Sequence, residues 1–542
     1  MTGFSVAMAQ PVVSDVTECP EHWIVGDIVT APGERAGAVS FSKGKIQQVG
    51  DASLAPNEGA CVISLPDGAV ALPGLHDAHA HLIGIGFREM RLNLEGTTSI
   101  AMLKARLADA LMDLPDGQPL TGRGWIETGW PEKRMPNRDD LDAVAEGRIV
   151  ILGRSDGHAA VVNSAALDAA GIDDETPDPE GGRIVRDRNG RATGLLIDNA
   201  QSLVAGLVDK PTREERKEAL RRGADVYASR GWTSVHNMSV DAGEIDLMAE
   251  LGASGELPIR VFNYLVPEAL DAQAEKGKTC TDDMRVCVMG IKFYVDGALG
   301  SRGALLFAPY SDEPSTMGLQ LMTGDEARPM MQKALDAGLQ VATHAIGDKG
   351  NRIVLDWYWK LLYEPQIADH RWRIEHAQIL KVDDIARFAK QAVIASMQPS
   401  HAIGDLYFAG DRLGSERLKG AYAWRSLVEQ GAIVVGGSDA PVEQGEPAIE
   451  LHAATRRFAL NGYEGPDWHP EEALTEQQAL AIFTTKAAYA VFREDELGRL
   501  APGYRADITV LTADPFRSSW EKVDALMTFV DGERHEGRAS QQ

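Results

Sequence analysis

The sequence predicts an α/β protein: a TIM-like (β/α)8 barrel carrying a small composite β-sandwich built from the N- and C-terminal segments. Three observations predict it. The middle of the chain alternates short apolar runs with amphipathic stretches, and both ends are rich in β-branched residues. No G-x-G-x-x-G opens a helix after a strand, which argues against a doubly wound nucleotide-binding sheet. The expected boundaries are 20–72 for the first part of the sandwich, 73–490 for the barrel and 491–535 for the second part. At 542 residues the chain exceeds one ordinary domain of ~100–200 residues, which suits a large barrel with a smaller partner.

Taken in order, residues 23–30, 38–42 and 45–50 are short β-rich runs separated by Pro-Gly and Lys-Gly turns. Residues 506–511 and 525–532 have the same character at the other end, so the two ends are expected to meet. Between them, candidate strands are 233–237, 286–295, 340–346, 372–377, 393–398 and 433–438. Candidate helices are 213–230, 327–337, 383–389 and 423–430. Residues 114–200, rich in Gly, Pro, Asp and Asn, break the alternation and read as a long functional loop or a decorative insertion.

Composition excludes several classes of function. Hydrophobic residues make up 44% and charged residues 25%, values of an ordinary globular chain. Against 54 basic residues stand 80 acidic ones, a net charge of −26 that repels phosphate backbones and anionic membranes; the expected partner is a small molecule. No apolar run reaches the ~20 residues of a membrane span. Cys19, Cys61, Cys280 and Cys287 show no C-x-x-C spacing and read as buried or incidental thiols. Residues 5–9 end in an Ala-x-Ala pattern, but no basic residue precedes Arg35, so the terminus reads as poorly ordered and the location as cytoplasmic, with a truncated export signal as the lesser alternative.

Barrel active sites lie at the C-terminal ends of strands, so the residues closing each strand carry the chemistry. Asp77-Ala78-His79-Ala80-His81 follows an apolar run, and residues i and i+2 of a strand share a face, so His79 and His81 can grip one ion while His76 has the wrong parity. Lys292 sits in the apolar run Gly290–Val295, where an ammonium is costly unless neutralised or modified. His344, His376 and Asp439 end three further strands. Each alone is weak evidence; together they read as a metal site. His236 ends another strand, and Trp125, Trp130 and His158 in the insertion are candidates to shape a pocket. Asp411-Arg412 and Arg456-Arg457 read as solvated surface pairs.

These motifs resemble the amidohydrolase superfamily: Pro73–Leu82 its metal-binding opening, Ser438-Asp439-Ala440-Pro441 its last metal and catalytic segment, Leu497–Ile508 its return to the sandwich. Gly124-Trp125, Arg154-Ser155-Asp156-Gly157-His158-Ala159 with Asn163-Ser164, and Lys292 through Asp296–Arg302 resemble the YtcJ-like branch that contains N-substituted formamide deformylase. So do His344–Asp348 and Glu375-His376-Ala377-Gln378. The resemblance implies a hydrolase of non-peptide C–N bonds using one or two zinc ions, two favoured. His79, His81 and Asp439 would hold one ion, His344 and His376 the other, with carboxylated Lys292 as the bridge. It implies attack by metal-activated hydroxide, with Asp439 as proton carrier and His344 polarising the carbonyl where it is free of metal. Trp125, His158 and Arg302 are the candidate substrate contacts, and a hydrophobic amine portion is expected from Trp125, Ile126 and Trp130. Asn237 stands where the family often has an acidic residue, which leaves that position without an expected role. Two alternatives stand beside this: a cyclic amidase or deaminase using the same activated water, and a catalytically silent barrel that only binds. A homodimer is the expected assembly, from family habit and the commonness of two-fold symmetry.

Overall fold

The computed structural model describes Cys19 and residues 21–540, except 57–60, 116, 128, 146, 156 and 180. The N-terminal export pattern at 5–9 and Asp156 therefore lie outside the described residues. Eight parallel strands form the barrel: β1 (Leu75–Ala80), β2 (Trp232–Val240), β3 (Arg260–Leu265), β4 (Val286–Tyr294), β5 (Gln340–Ala345), β6 (Arg373–His376), β7 (Ile394–Met397) and β8 (Val434–Gly436). They are buried along nearly their whole length, as expected of a parallel sheet covered on both faces. Adjacent strands pair from β1 through to β8. Across the remaining seam the loop after β8 takes over, with Asp439 N donating to His79 O at 2.7 Å and His81 N donating to Ala440 O at 2.8 Å.

Strand β3 is absent from the sequence-based list, and its composition explains why. Arg260 and Asn263 interrupt the apolar run, yet both are fully buried. Arg260 donates to Asp507 at 2.7 and 3.0 Å and lies 2.6 Å from Asp531, so its charge is matched by the C-terminal segment.

The helix predicted at 213–230 is observed as Arg213–Arg230, opened by a Thr212/Glu215 capping box and closed by Gly231 with φ 107°. It crosses the helix Leu82–Met90 at very close range. A Cβ on Gly86 would meet Ala219 O at 1.7 Å, and one on Gly223 would meet Leu82 O at 2.3 Å.

The two chain ends do meet. Val70–Pro73 pairs antiparallel with Ile508–Leu511, joining N- and C-terminal strands in one eight-stranded sheet over a core that includes Ile24, Val39, Phe41, Ile508 and Phe529. The segment 114–200, read as a long functional loop or a decorative insertion, has regular structure that begins earlier. Leu92–Asn93, Leu120–Trp125, Val150–Arg154, Ala159–Val162, Gly182–Arg186 and Ala192–Asp198 build a six-stranded sheet with its own hydrophobic cores. Its strands are short and four of the six carry Gly, so they do not stand out from the turns between them.

The cysteines also depart from expectation. Cys19 pairs with Cys61 and Cys280 with Cys287, leaving no free thiol. Folding supplies the proximity: Thr279–Cys280 forms a short antiparallel partner to β4 in which Cys280 faces Cys287. Among the described residues, no helix is long and apolar enough to cross a membrane.

Candidate metal centre

A cavity of about 400 Å³ opens at the C-terminal ends of the barrel strands, and His79, His81, Lys292, His344, His376 and Asp439 all line it. The six residues come from five different strands or the turns that follow them, so only the closed barrel brings them together. The ring centroids of His79 and His376 are 4.8 Å apart, and those of His344 and His376 are 4.5 Å apart. Asp439 Oδ1 lies 3.2 Å from His81 Nε2 and 3.5 Å from His79 Nε2. Ligand atoms of His79, His376 and Asp439 fall within 4.8 Å of one another, a spacing that fits one ion. His376 (φ 73°) and Asp439 (φ 61°) both adopt the left-handed region, backbone strain of the kind that collects at functional sites.

The surrounding hydrogen bonds decide which ring nitrogens face the cavity. His79 Nδ1 is 2.6 Å from Glu375 Oε2, His81 Nδ1 is 3.0 Å from Met238 O, and His376 Nδ1 is 2.8 Å from Gln398 Oε1. Each partner is an acceptor, so each Nδ1 carries the proton and each Nε2 presents a lone pair. Glu375 is in turn gripped by Arg373. Although burial pushes the Glu375 carboxyl up, Arg373 and His79 outweigh it and hold the group well below the usual carboxylate range. Burial lowers His79 to about 4, keeping it neutral as a ligand must be. Burial likewise favours the uncharged form of Asp439, but the neighbouring histidines prevail and keep it ionised.

Among the described residues of the cavity wall, His344 Nε2, Asp439 Oδ1 and His401 Nε2 are buried without a hydrogen-bond partner. A buried polar atom without a partner costs about 1–3 kcal/mol, so this donor set is built for something that completes it. Imidazole and carboxylate donors at this spacing fit a divalent transition metal. Lys292 Nζ sits 3.5 Å from His79 Nε2, and burial pushes it down to about 8, against the pull of Glu375 and Asp439.

The other expected residues divide. His158 lines the cavity, its Nδ1 2.9 Å from Asp198 Oδ1, and Ile126 lines it too. Trp125 does not: it is fully buried in the core of the insertion, donating from Nε1 to Leu152 O at 2.8 Å, with Trp130 packed beside it. Arg302 points away from the cavity to Asp312, at 2.9 Å, and only the backbone neighbours Ala298, Leu299 and Gly300 reach the wall. His236 lies inside β2 with its Nδ1 3.0 Å from Arg373. Asn237 accepts from Leu82 N at 2.9 Å and donates to Asn263 at 3.0 Å, a structural use. Of the two arginine pairs, Arg457 is buried and donates to the Trp468, Tyr422 and Ala421 carbonyls rather than being solvated.

Sequence reasoning missed His401, Asp405 and Glu443, all on the cavity wall. His401 follows β7 by four residues and stands 3.6 Å from Asp439 Oδ2, so the strand-end rule used for the other ligands would have found it.

Comparison with known proteins agrees with this geometry. Residues 66–534 match the family model described as the amidohydrolase family. The chain is 36% identical over 455 residues to the Bacillus subtilis protein YtcJ, named as an amidohydrolase, covering 83% of this chain and 85% of that one. It is 28% identical over 533 residues to the N-substituted formamide deformylase of Arthrobacter pascens, covering 93% and 95%. The crystal structure of an uncharacterized metal-dependent hydrolase from Pyrococcus horikoshii OT3 superposes with a TM-score of 0.75 at 28% identity, covering 93% of this chain and 99% of that one.

Proposed function

The chain belongs to the amidohydrolase family, and on that premise we propose that it is a metal-dependent hydrolase of a non-peptide C–N bond in an amide, N-formyl or N-acyl amine. The observation that carries the proposal is the set of three histidines whose Nδ1 atoms are all anchored, so that three Nε2 lone pairs meet Asp439 in one cavity. The name of the Arthrobacter relative supports the formyl end of this range.

His79, His81 and Asp439 would hold one zinc ion and His344 and His376 a second, although His376 also lies within 4.8 Å of the His79 and Asp439 donors, and Lys292 would serve as a carbamate ligand. The low value of the Lys292 ammonium supports that role, because only the free amine adds to carbon dioxide. Bound there, zinc would supply an acidified water and a polarised carbonyl for the residues around it to act on. Asp439 accepts the proton of the attacking water at its unpartnered Oδ1 and returns it to the departing nitrogen, so the products are a carboxylic acid and a free amine. His158, held by Asp198 on the cavity wall, would donate to the carbonyl oxygen. His344, where it is free of metal, polarises the same carbonyl.

Incubating the chain with a series of N-alkylformamides and N-acylamines, and following formate, other acids and amines by mass spectrometry, tests this. Equal release of acid and amine is expected. Ammonia or a ring-opened acid from cyclic substrates, with nothing from the formamides, would replace the proposal with the cyclic amidase or deaminase reading.

A further inference from the structure

One carboxyl on the cavity wall has no use in the chemistry just described. Glu443 lies in the turn that follows Asp439, lines the metal cavity, and also lines a neighbouring pocket of about 270 Å³ with Ile403, Tyr407 and Leu460. Its Oε1 stands against Gly404, where a Cβ would lie 3.6 Å away. The chain around it is firmly placed. Val442 N donates to Asp439 O at 2.8 Å, and both Arg88 and Arg230 donate to the carbonyl of Gln444.

The charges of those two arginines are turned elsewhere: Arg88 to Glu89 and Glu95, Arg230 to Glu446. Lys292, Arg123 and Arg154 also line the cavity, Arg154 bound to Glu127 at 2.9 Å. The charged groups that act on Glu443 are Asp405, Asp439 and Glu95, all acidic. Asp405 accepts from Gln378 Nε2 and from Tyr422 Oη, each at 2.5 Å. Burial and these acidic neighbours push Glu443 up to about 8. A half-buried carboxyl on a cavity wall, with acidic groups around it and its proton affinity raised, is placed to meet a cationic ligand.

We propose that Glu443 selects substrates whose amine portion carries a second, positively charged nitrogen at the end remote from the scissile bond. This rests on the hydrolase reading only in taking the metal cavity as the substrate site. An alkylammonium entering the cavity displaces the carboxyl proton and forms a charge-assisted hydrogen bond, while the acidic surroundings that disfavour a bare carboxylate favour the pair.

The test compares N-(5-aminopentyl)formamide with N-hexylformamide, which replaces the remote ammonium by a methyl group. Both are titrated calorimetrically at pH 8.5 into the Asp439→Asn chain, where binding is read whether or not hydrolysis occurs, and into the same chain carrying Glu443→Gln. The cationic compound is expected to bind at least about 10-fold more tightly, with most of that preference lost in the Gln variant. Equal affinity for the two compounds, no binding of the cationic one, or a preference that survives Glu443→Gln overturns the proposal. Formate release by the unaltered chain is followed in parallel. Release without cationic preference keeps the hydrolase reading and removes this one; cationic preference in binding without release does the reverse.

Discussion

Three histidines of the cavity are oriented through the ring nitrogen they turn away from it. With Nδ1 committed to Glu375, Met238 O and Gln398, the rings of His79, His81 and His376 can neither flip nor change tautomer without losing a buried hydrogen bond. Glu375→Gln should therefore weaken zinc affinity by about 10- to 100-fold, measured by competition with a chromophoric chelator, although Glu375 is not itself a ligand. Asp439→Asn should reduce kcat by about 10³-fold or more while the circular dichroism spectrum stays unchanged, since it removes the proton carrier and leaves the volume intact. At this scale the sequence was legible wherever a cavity residue closes an apolar strand, as at His79, His344 and His376. It was not legible where tertiary packing decides a side chain's direction. Trp125 turns into the insertion core and Arg302 to Asp312, although both flank cavity residues in sequence.

Elements were readable in proportion to how cleanly their faces are apolar. Helix Arg213–Arg230 carries its start and stop signals in Thr212, Glu215 and Gly231, and the expected bounds match the observed ones. Strand β3 escaped notice because Arg260 must be neutralised by Asp507, some 250 residues away in sequence, before its burial makes sense. The strands inside the insertion escaped for a related reason: they are held by a core of residues scattered over 92–198. Trp125→Ala should accordingly destabilise the insertion by about 3–5 kcal/mol in denaturant unfolding, a cavity effect distinct from loss of a substrate contact.

Glu244, in the helix Ala242–Ala253, gives a pH signature. Burial raises it to about 7 despite Arg216 at 2.8 Å. The folded state therefore holds a proton that the unfolded chain, at 4.5, has released, and this stability is present at low pH and lost as pH rises from about 4.5 to 7. Glu244→Gln should remove that slope, worth about 1–2 kcal/mol after solvent screening, in unfolding curves taken across this range.

At the scale of the molecule, the barrel and the inserted sheet both bear on one cavity. The barrel supplies His79, His81, Lys292, His344, His376 and Asp439, and the insertion supplies His158 and Ile126 to its wall. The paired cysteines bear on where such a chain matures. Disulfides persist in oxidising compartments, so the two pairs favour export over the cytoplasmic default read from the sequence. Alkylation of the unfolded, unreduced chain should label no cysteine, and all 4 should become labelled after reduction.

Metal content per chain, by elemental mass spectrometry on protein purified without chelator or added metal, tests the central claim most directly. About one to two zinc ions per chain are predicted, falling sharply in His79→Ala and His376→Ala, with two favouring the Lys292 bridge. A chain that holds no metal and takes up none when zinc is supplied would contradict the account and leave a barrel that binds without hydrolysing.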